Sequence, residues 1–236
     1  MIAQFVNAIA VIIGGLIGTI FGNRISEKYT NAIMTAIALI TMIIGVQSAV
    51  VTSNVLIVVI CLIAGTILGT ALRIDDRLNN AGDAAKKLLQ NTRIGKGPFS
   101  EALVTASMLF CVGSMTILGS IQAGLNHNYQ IILTKSVMDF VSALAFSAAL
   151  GAGVIFAFIP VLVIQGGITL LAGVVAPYLT AEVVTEMSAV GGALFIGMSI
   201  NILGLRQEKI KVGDMLPAIF MPVLYFPIAN FINSLI

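Results

Sequence analysis

The sequence predicts an all-α polytopic membrane protein, and three observations lead there: composition, segment length and the placement of basic residues. Apolar residues make up 58% of the 236 and charged residues only 9%, against about 25% charged in a soluble domain. Eight stretches, 3–22, 32–50, 54–72, 102–122, 136–157, 159–178, 187–205 and 215–233, reach the roughly 20 mostly apolar residues that a spanning helix needs. Lysine and arginine are retained in cytoplasmic loops. With eight spans, eleven of the twelve basic residues fall in the odd-numbered connections: Arg24 and Lys28, the six between Arg73 and Lys96, then Arg206, Lys209 and Lys211. Only Lys135 lies on the other side. Both termini are therefore expected outside, and 1–236 reads as a single membrane domain.

That placement accounts for the net charge of +2, so no nucleic-acid surface is read from it. The first stretch lacks a basic leader and a convincing cleavage site, which makes it a helix and not a signal peptide. Cys61 and Cys111 each lie inside an apolar segment; they read as packing residues and imply no disulfide.

In helix one, Gly14, Gly18 and Gly22 form a small-residue stripe of the kind that lets helix backbones approach closely. The pair Gly14–Gly15 also weakens the helix near its middle. Asn7 lies toward its outer end, as Gln47 does in helix two. Residues 73–100 are the only long polar segment. Leu78, Ala81, Ala85 and Leu88 at helical spacing predict an amphipathic helix on the cytoplasmic surface there, with Lys86 and Lys87 toward anionic headgroups. Helix four carries Thr105, Ser107, Ser114, Thr116, Ser120 and Gln122, a set that favours an interior position. The lone His127 lies in a loop with no second His or Cys nearby, so no metal site is expected.

Helix five holds Asp139, the one acidic side chain expected inside a span. An ionisable group there is costly and by default a functional hypothesis. Lys135, one turn earlier, can pair with it, which places Asp139 near the outer face. Helix six is expected to break at Gln165–Gly166–Gly167 and stop at Pro177. Glu182 and Glu186 follow in an outer loop and give the mouth an acidic character. Helix seven contributes Ser199 and Asn201. Pro217, Pro222 and Pro227 keep helix eight from being smooth.

The chain also matches itself. An offset of 47 aligns Gly18, Thr19, Ile20 and Gly22 with Gly65, Thr66, Ile67 and Gly69. An offset of 152 places Gly14–Gly15 on Gly166–Gly167, and one of 85 places helix four on helix seven. By the loop charges the sixth and seventh spans oppose their counterparts, which predicts an inverted repeat with interrupted helices, as in secondary transporters.

The strings NAIAVIIGGLIG (7–18), KSVMDFVSALAFSAALG (135–151), MSAVGG (187–192) and MLPA (215–218) resemble a bacterial inner-membrane family of unknown function, the YdfK/YqgA type. Its most specific element here is Lys135, Ser136 and Asp139. The resemblance implies a bacterial cytoplasmic membrane protein and supplies no substrate.

No nucleophile–base pair, metal-ligand set or phosphate-binding loop is present in the sequence, so neither an enzyme nor a cofactor is expected. The leading expectation is a secondary transporter or channel-like permease for a small solute or ion. Its path would be lined by Asp139, Lys135, Gln165, Gly166, Gly167, Asn201, Ser199, Ser114, Gln47, Asn7, Gly14 and Gly15. The rival expectation is a scaffold or regulatory subunit that binds a partner through 73–100. Beyond the lipid bilayer, the small-residue stripes suggest a homodimer.

Overall fold

The computed structural model describes residues 1–22, 27–80 and 99–233, and among these there is no strand. The long helices are α1 (Ile2–Gly22), α2 (Glu27–Ala49), α3 (Val55–Leu72), α4 (Phe99–Cys111), α5 (Ser114–Leu125) and α6 (Gln130–Leu150). After these come a 3-10 segment (Ala152–Ala157), α7 (Phe158–Leu170), the short α8 (Ala172–Val175) and α9 (Ala181–Leu203). A second 3-10 segment (Val212–Phe220) and α10 (Met221–Asn233) complete the order. Among the described residues, seven helices are long and apolar enough to cross a membrane, or eight when α4 and α5, bent by 58° at their junction, count as one span.

The bend has a local cause. Gly113 sits at φ 145°, a conformation that side chains rarely adopt, and it separates α4 from α5. The Thr116 hydroxyl reaches across and donates to the Phe110 carbonyl at 3.0 Å, which satisfies a group the break would otherwise free. Gly151, at φ 88°, ends α6 and turns the chain straight into the next span.

Glycine decides how the helices pack. Cβ atoms added at Gly14, Gly18 and Gly22 of α1 would collide with the carbonyl oxygens of Phe140, Leu144 and Ala148. Both series advance by four, so α1 and α6 run parallel with their backbones in contact. Gly45 of α2 and Gly192 of α9 meet in the same way, and Gly65 and Gly69 of α3 lie on Ala218 and Asp214 of the second 3-10 segment. These small-residue stripes are thus occupied by contacts inside the chain. Each early helix packs on a late element: α1 on α6, α2 on α9, α3 on 212–220, and α4 on 152–157.

Two apolar cores result. One surrounds α9 with Leu194, Phe195, Met198, Ile57 and Ile219. The other lies between α1, α4, α6 and α7, with Val11, Phe110, Ala143, Phe146 and Val161.

Several boundaries differ from those read in the sequence. Gly14–Gly15 does not interrupt α1, and Gly166–Gly167 does not interrupt α7; instead Gly14 lies close against Phe140 of α6 and Gly15 against Ile155 of the first 3-10 segment. The sixth span starts at Ala152, not near 159, and ends at Leu170, short of Pro177. The fifth begins at Gln130, six residues early, where the Asn128 side chain accepts the Gln130 N–H at 3.1 Å. The second 3-10 segment, with Pro217 inside it, bears out the expected irregularity of the last span. The amphipathic helix expected over 73–100 falls mostly on residues outside those described, and with it the scaffold reading.

Candidate functional site

The start of α1 places Gln4 and Asn7 three residues apart on one face, both fully buried. On α7, Gln165 and Thr169 stand one turn apart, also on one face. The two helices run antiparallel. The Gln4 amide donates to the Thr169 hydroxyl at 2.7 Å, and the Asn7 amide donates to Gln165 Oε1 at 3.2 Å. Asn7 Nδ2 also donates to Asp139 Oδ2 at 3.0 Å. Thr169 in turn donates to the Ser120 carbonyl of α5 at 3.2 Å. The result is a ladder of polar rungs that descends from the end of the bundle where α1 begins.

The ladder ends on an ion pair. Lys135 Nζ lies 2.7 Å and 2.6 Å from the two Asp139 oxygens, and the residues are only 6% and 5% exposed. The Phe110 ring lies beneath the ammonium, its centroid 6.0 Å away. Because α6 starts at Gln130, Asp139 lies nine residues in, about 14 Å along the axis. That is close to mid-span, deeper than the outer-face position that a later helix start implied.

The network is incompletely satisfied. Among the described residues, the buried side-chain atoms with no hydrogen-bond partner are Gln4 Oε1, Asn7 Oδ1, Ser120 Oγ, Ser147 Oγ and Gln165 Nε2. Four of these five belong to the ladder. Buried polar groups are almost always paired, and each exception needs an explanation. Next to the ion pair lies the second core, where Val11, Phe110, Ala143 and Val161 present only apolar side chains.

Of the residues singled out in the sequence, Asp139, Lys135, Asn7 and Gln165 come together. Gly166 sits beside them, where a Cβ would lie 3.5 Å from the Met1 side chain, while Gly167 faces open space. The others go elsewhere. Gln47 is exposed on α2 and Ser114 is exposed at the helix bend. Ser199 is buried but donates to its own helix at Ile196 O. Asn201 clasps the backbone of Ile210, donating to its carbonyl and accepting from its N–H, both at 2.8 Å. Gly14 and Gly15 support the site only through the α1–α6 contact. Sequence reasoning missed Gln4 and Thr169, and it placed Ser120 in the interior without assigning it to the site. The available signal was the i,i+3 spacing of Gln4 to Asn7 and the i,i+4 spacing of Gln165 to Thr169, each pair on one helical face.

The acidic mouth also needs correction. Glu186 lies in the second turn of α9, fully buried. It accepts from Thr52 Oγ1 at 2.6 Å, Ser53 Oγ at 2.8 Å and Ser53 N at 2.9 Å. It anchors the α2–α3 loop and is not free to attract cations. At the opposite end of the bundle, Lys209 pairs with Glu101 and Lys211 with Asp76. The Asp76 contact raises the Lys211 amine above its ordinary value.

Two cavities lie away from the ladder. The larger, about 650 Å³, is an apolar groove floored by the bend at Cys111–Gly113 and walled by Pro160, Ile219 and Phe220. The smaller, about 260 Å³, lies between Asp75, Glu101, Asn201 and Lys209. Among the described residues, no three His, Cys, Asp or Glu side chains are grouped to hold a metal ion.

A family profile described as "Protein of unknown function (DUF554)" matches residues 2–227. The chain is 28% identical to the uncharacterized membrane protein YdfK of Bacillus subtilis (strain 168), over 98% of each chain. It is 29% identical to the uncharacterized protein YqgA of Escherichia coli (strain K12), over 94% of each. No solved structure matches.

Proposed function

Given that the chain belongs to the DUF554 family, we propose that it is a secondary transporter or channel-like permease. Its substrate is a small solute or ion, and it acts in the bacterial cytoplasmic membrane. The observation that carries this reading is the membrane-buried Lys135–Asp139 pair, reached through rungs of amide and hydroxyl groups, four of whose polar atoms lack a partner. Ionisable residues within spans face the bundle interior or water, and they mark substrate and ion pathways. A purely structural role would favour complete pairing, because a half-satisfied network is worse than an apolar core.

In this reading both termini lie outside and the ladder opens outward. The aliphatic core around Val11, Phe110 and Val161 is the inner seal, so the structure corresponds to an occluded state. The inverted repeat belongs to the same proposal. The antiparallel meeting of α1 and α7, Gln4 with Thr169 and Asn7 with Gln165, supports the opposed direction of the first and sixth spans. Catalysis and a bound cofactor form no part of the reading.

Flux into proteoliposomes tests it. With sodium, potassium, proton and small-metabolite gradients offered in turn, the native protein is expected to carry at least one species. Asp139→Asn removes the charge at nearly constant shape and is expected to lower that flux by at least about tenfold, the equivalent of about 1.4 kcal/mol. Unchanged flux in the variant would remove Asp139 from the pathway.

A further inference from the structure

We propose that the position held by the Lys135 ammonium beside Asp139 is a binding site for a small monovalent cation, for which Lys135 is the resident substitute. The inference rests on the transport reading and narrows its substrate or coupling ion to a class.

The geometry of the pair is the first support. Both carboxylate oxygens face one cationic centre at 2.6 and 2.7 Å. Further amide oxygen lies along the ladder, though without a hydrogen bond to the ammonium: Gln165 Oε1 is held by Asn7, and Asn7 Oδ1 is buried without a partner. Gln4 Oε1, one rung nearer the start of α1, is likewise buried and unpartnered. Among the residues of the ladder there is no thiolate or imidazole. Carboxylate and amide oxygens suit hard cations over soft transition metals. One carboxylate balances one positive charge, which points to a monovalent ion. The Phe110 ring, 6.0 Å from Nζ, offers its face on a further side and is compatible with a cation.

The direction of the lysine is the second support. Lys135 stands five residues from the start of α6, where a lysine ordinarily extends its flexible stem toward the headgroups. Here the stem instead turns to Asp139, one turn further along the helix, and the ammonium is buried against its carboxylate. Two arrangements of equal net charge are therefore available. In one the ammonium neutralises Asp139. In the other it snorkels outward and an incoming cation takes its place. Exchange between them keeps the buried carboxylate paired throughout, the condition under which a buried charge is tolerable.

The test uses full-length protein purified in detergent, with thermal unfolding followed in sodium, potassium, ammonium or choline chloride at one ionic strength. Equal ionic strength removes general screening as an explanation, and choline, the bulkiest of the four cations, serves as the reference. Lys135→Ala vacates the position while keeping Asp139. Its midpoint is expected to rise by at least about 3 °C in one of the three small cations relative to choline. Lys135→Ala/Asp139→Asn is expected to show no such difference. Should Lys135→Ala fail to fold, Lys135→Gln undergoes the same comparison. Equal midpoints in all four salts, or a response that survives loss of Asp139, would overturn the site. A stabilising cation that the native protein does not transport would leave the site standing and sink the transport reading. Asp139-dependent flux with no stabilising cation would do the reverse.

Discussion

Lys135→Met is expected to destabilise the protein by about 3–5 kcal/mol, the cost of leaving one member of a buried ion pair without its partner. The two side chains are 6% and 5% exposed, and with the ammonium gone Asp139 keeps only the Asn7 N–H, at 3.0 Å. Reversible unfolding in mixed detergent–SDS micelles measures the loss. The double variant Lys135→Met/Asp139→Leu is expected to recover most of it. Replacing a whole buried pair with apolar side chains of similar volume is often neutral or stabilising. The double variant should nonetheless abolish flux. That contrast separates the two roles: the pair is dispensable for folding when removed together, and indispensable for function. A single variant as stable as the native protein would mean that water already solvates Asp139.

Gly18→Val is expected to cost about 3 kcal/mol, at the upper end of overpacking effects. A Cβ at Gly18 would overlap the Leu144 carbonyl oxygen and approach the Ser147 side chain at 2.9 Å. Helices α1 and α6 would have to separate along the stripe that Gly14 and Gly22 continue. That separation would also pull Asn7 away from Asp139, so flux should fall with stability. Gly167→Val supplies the control. Nothing lies within 4 Å of a Cβ there, so its effect should be small. Equal losses in both variants, by the same micelle unfolding, would show that glycine content and not the α1–α6 contact sets the effect.

Those two glycines also explain which parts of the site can be read in a sequence. Glycine in an apolar helix signals weakness and close approach alike, and the residue type does not say which. Gly14–Gly15 reads as a stripe of close approach as well as a weak point, and it is a contact; Gly166–Gly167 reads as a break, yet it leaves α7 continuous. The real break, at Gly113, is a single glycine whose φ of 145° is invisible in composition. Charge was more informative. A lysine and an aspartate four apart in a span have few other partners, and Lys135–Asp139 was legible for that reason. Asn7 and Gln165 were legible as amides in apolar helices, but Gln47 and Asn201 carried the same signal and went to a surface and a loop clasp. Which amides meet depends on helix pairing over 158 positions in sequence, as between Asn7 and Gln165. Local pattern does not encode that. Ser199 failed because a hydroxyl can be satisfied on its own helix, and Ser114 because it lies exposed at the bend.

Solvent access to the ladder is the most direct test of the central claim that these rungs line a path. In a Cys61→Ser/Cys111→Ser background, Gln165→Cys and Val161→Cys stand one turn apart on α7, at positions that are both fully buried in this state. A membrane-impermeant, water-soluble thiol reagent is added to sealed vesicles from the side of the N-terminus. Transient opening of the ladder should let it modify Gln165→Cys while Val161→Cys, within the apolar seal, stays unmodified. A Gln165→Cys that remains unmodified over hours, as inert as Val161→Cys, would contradict the account.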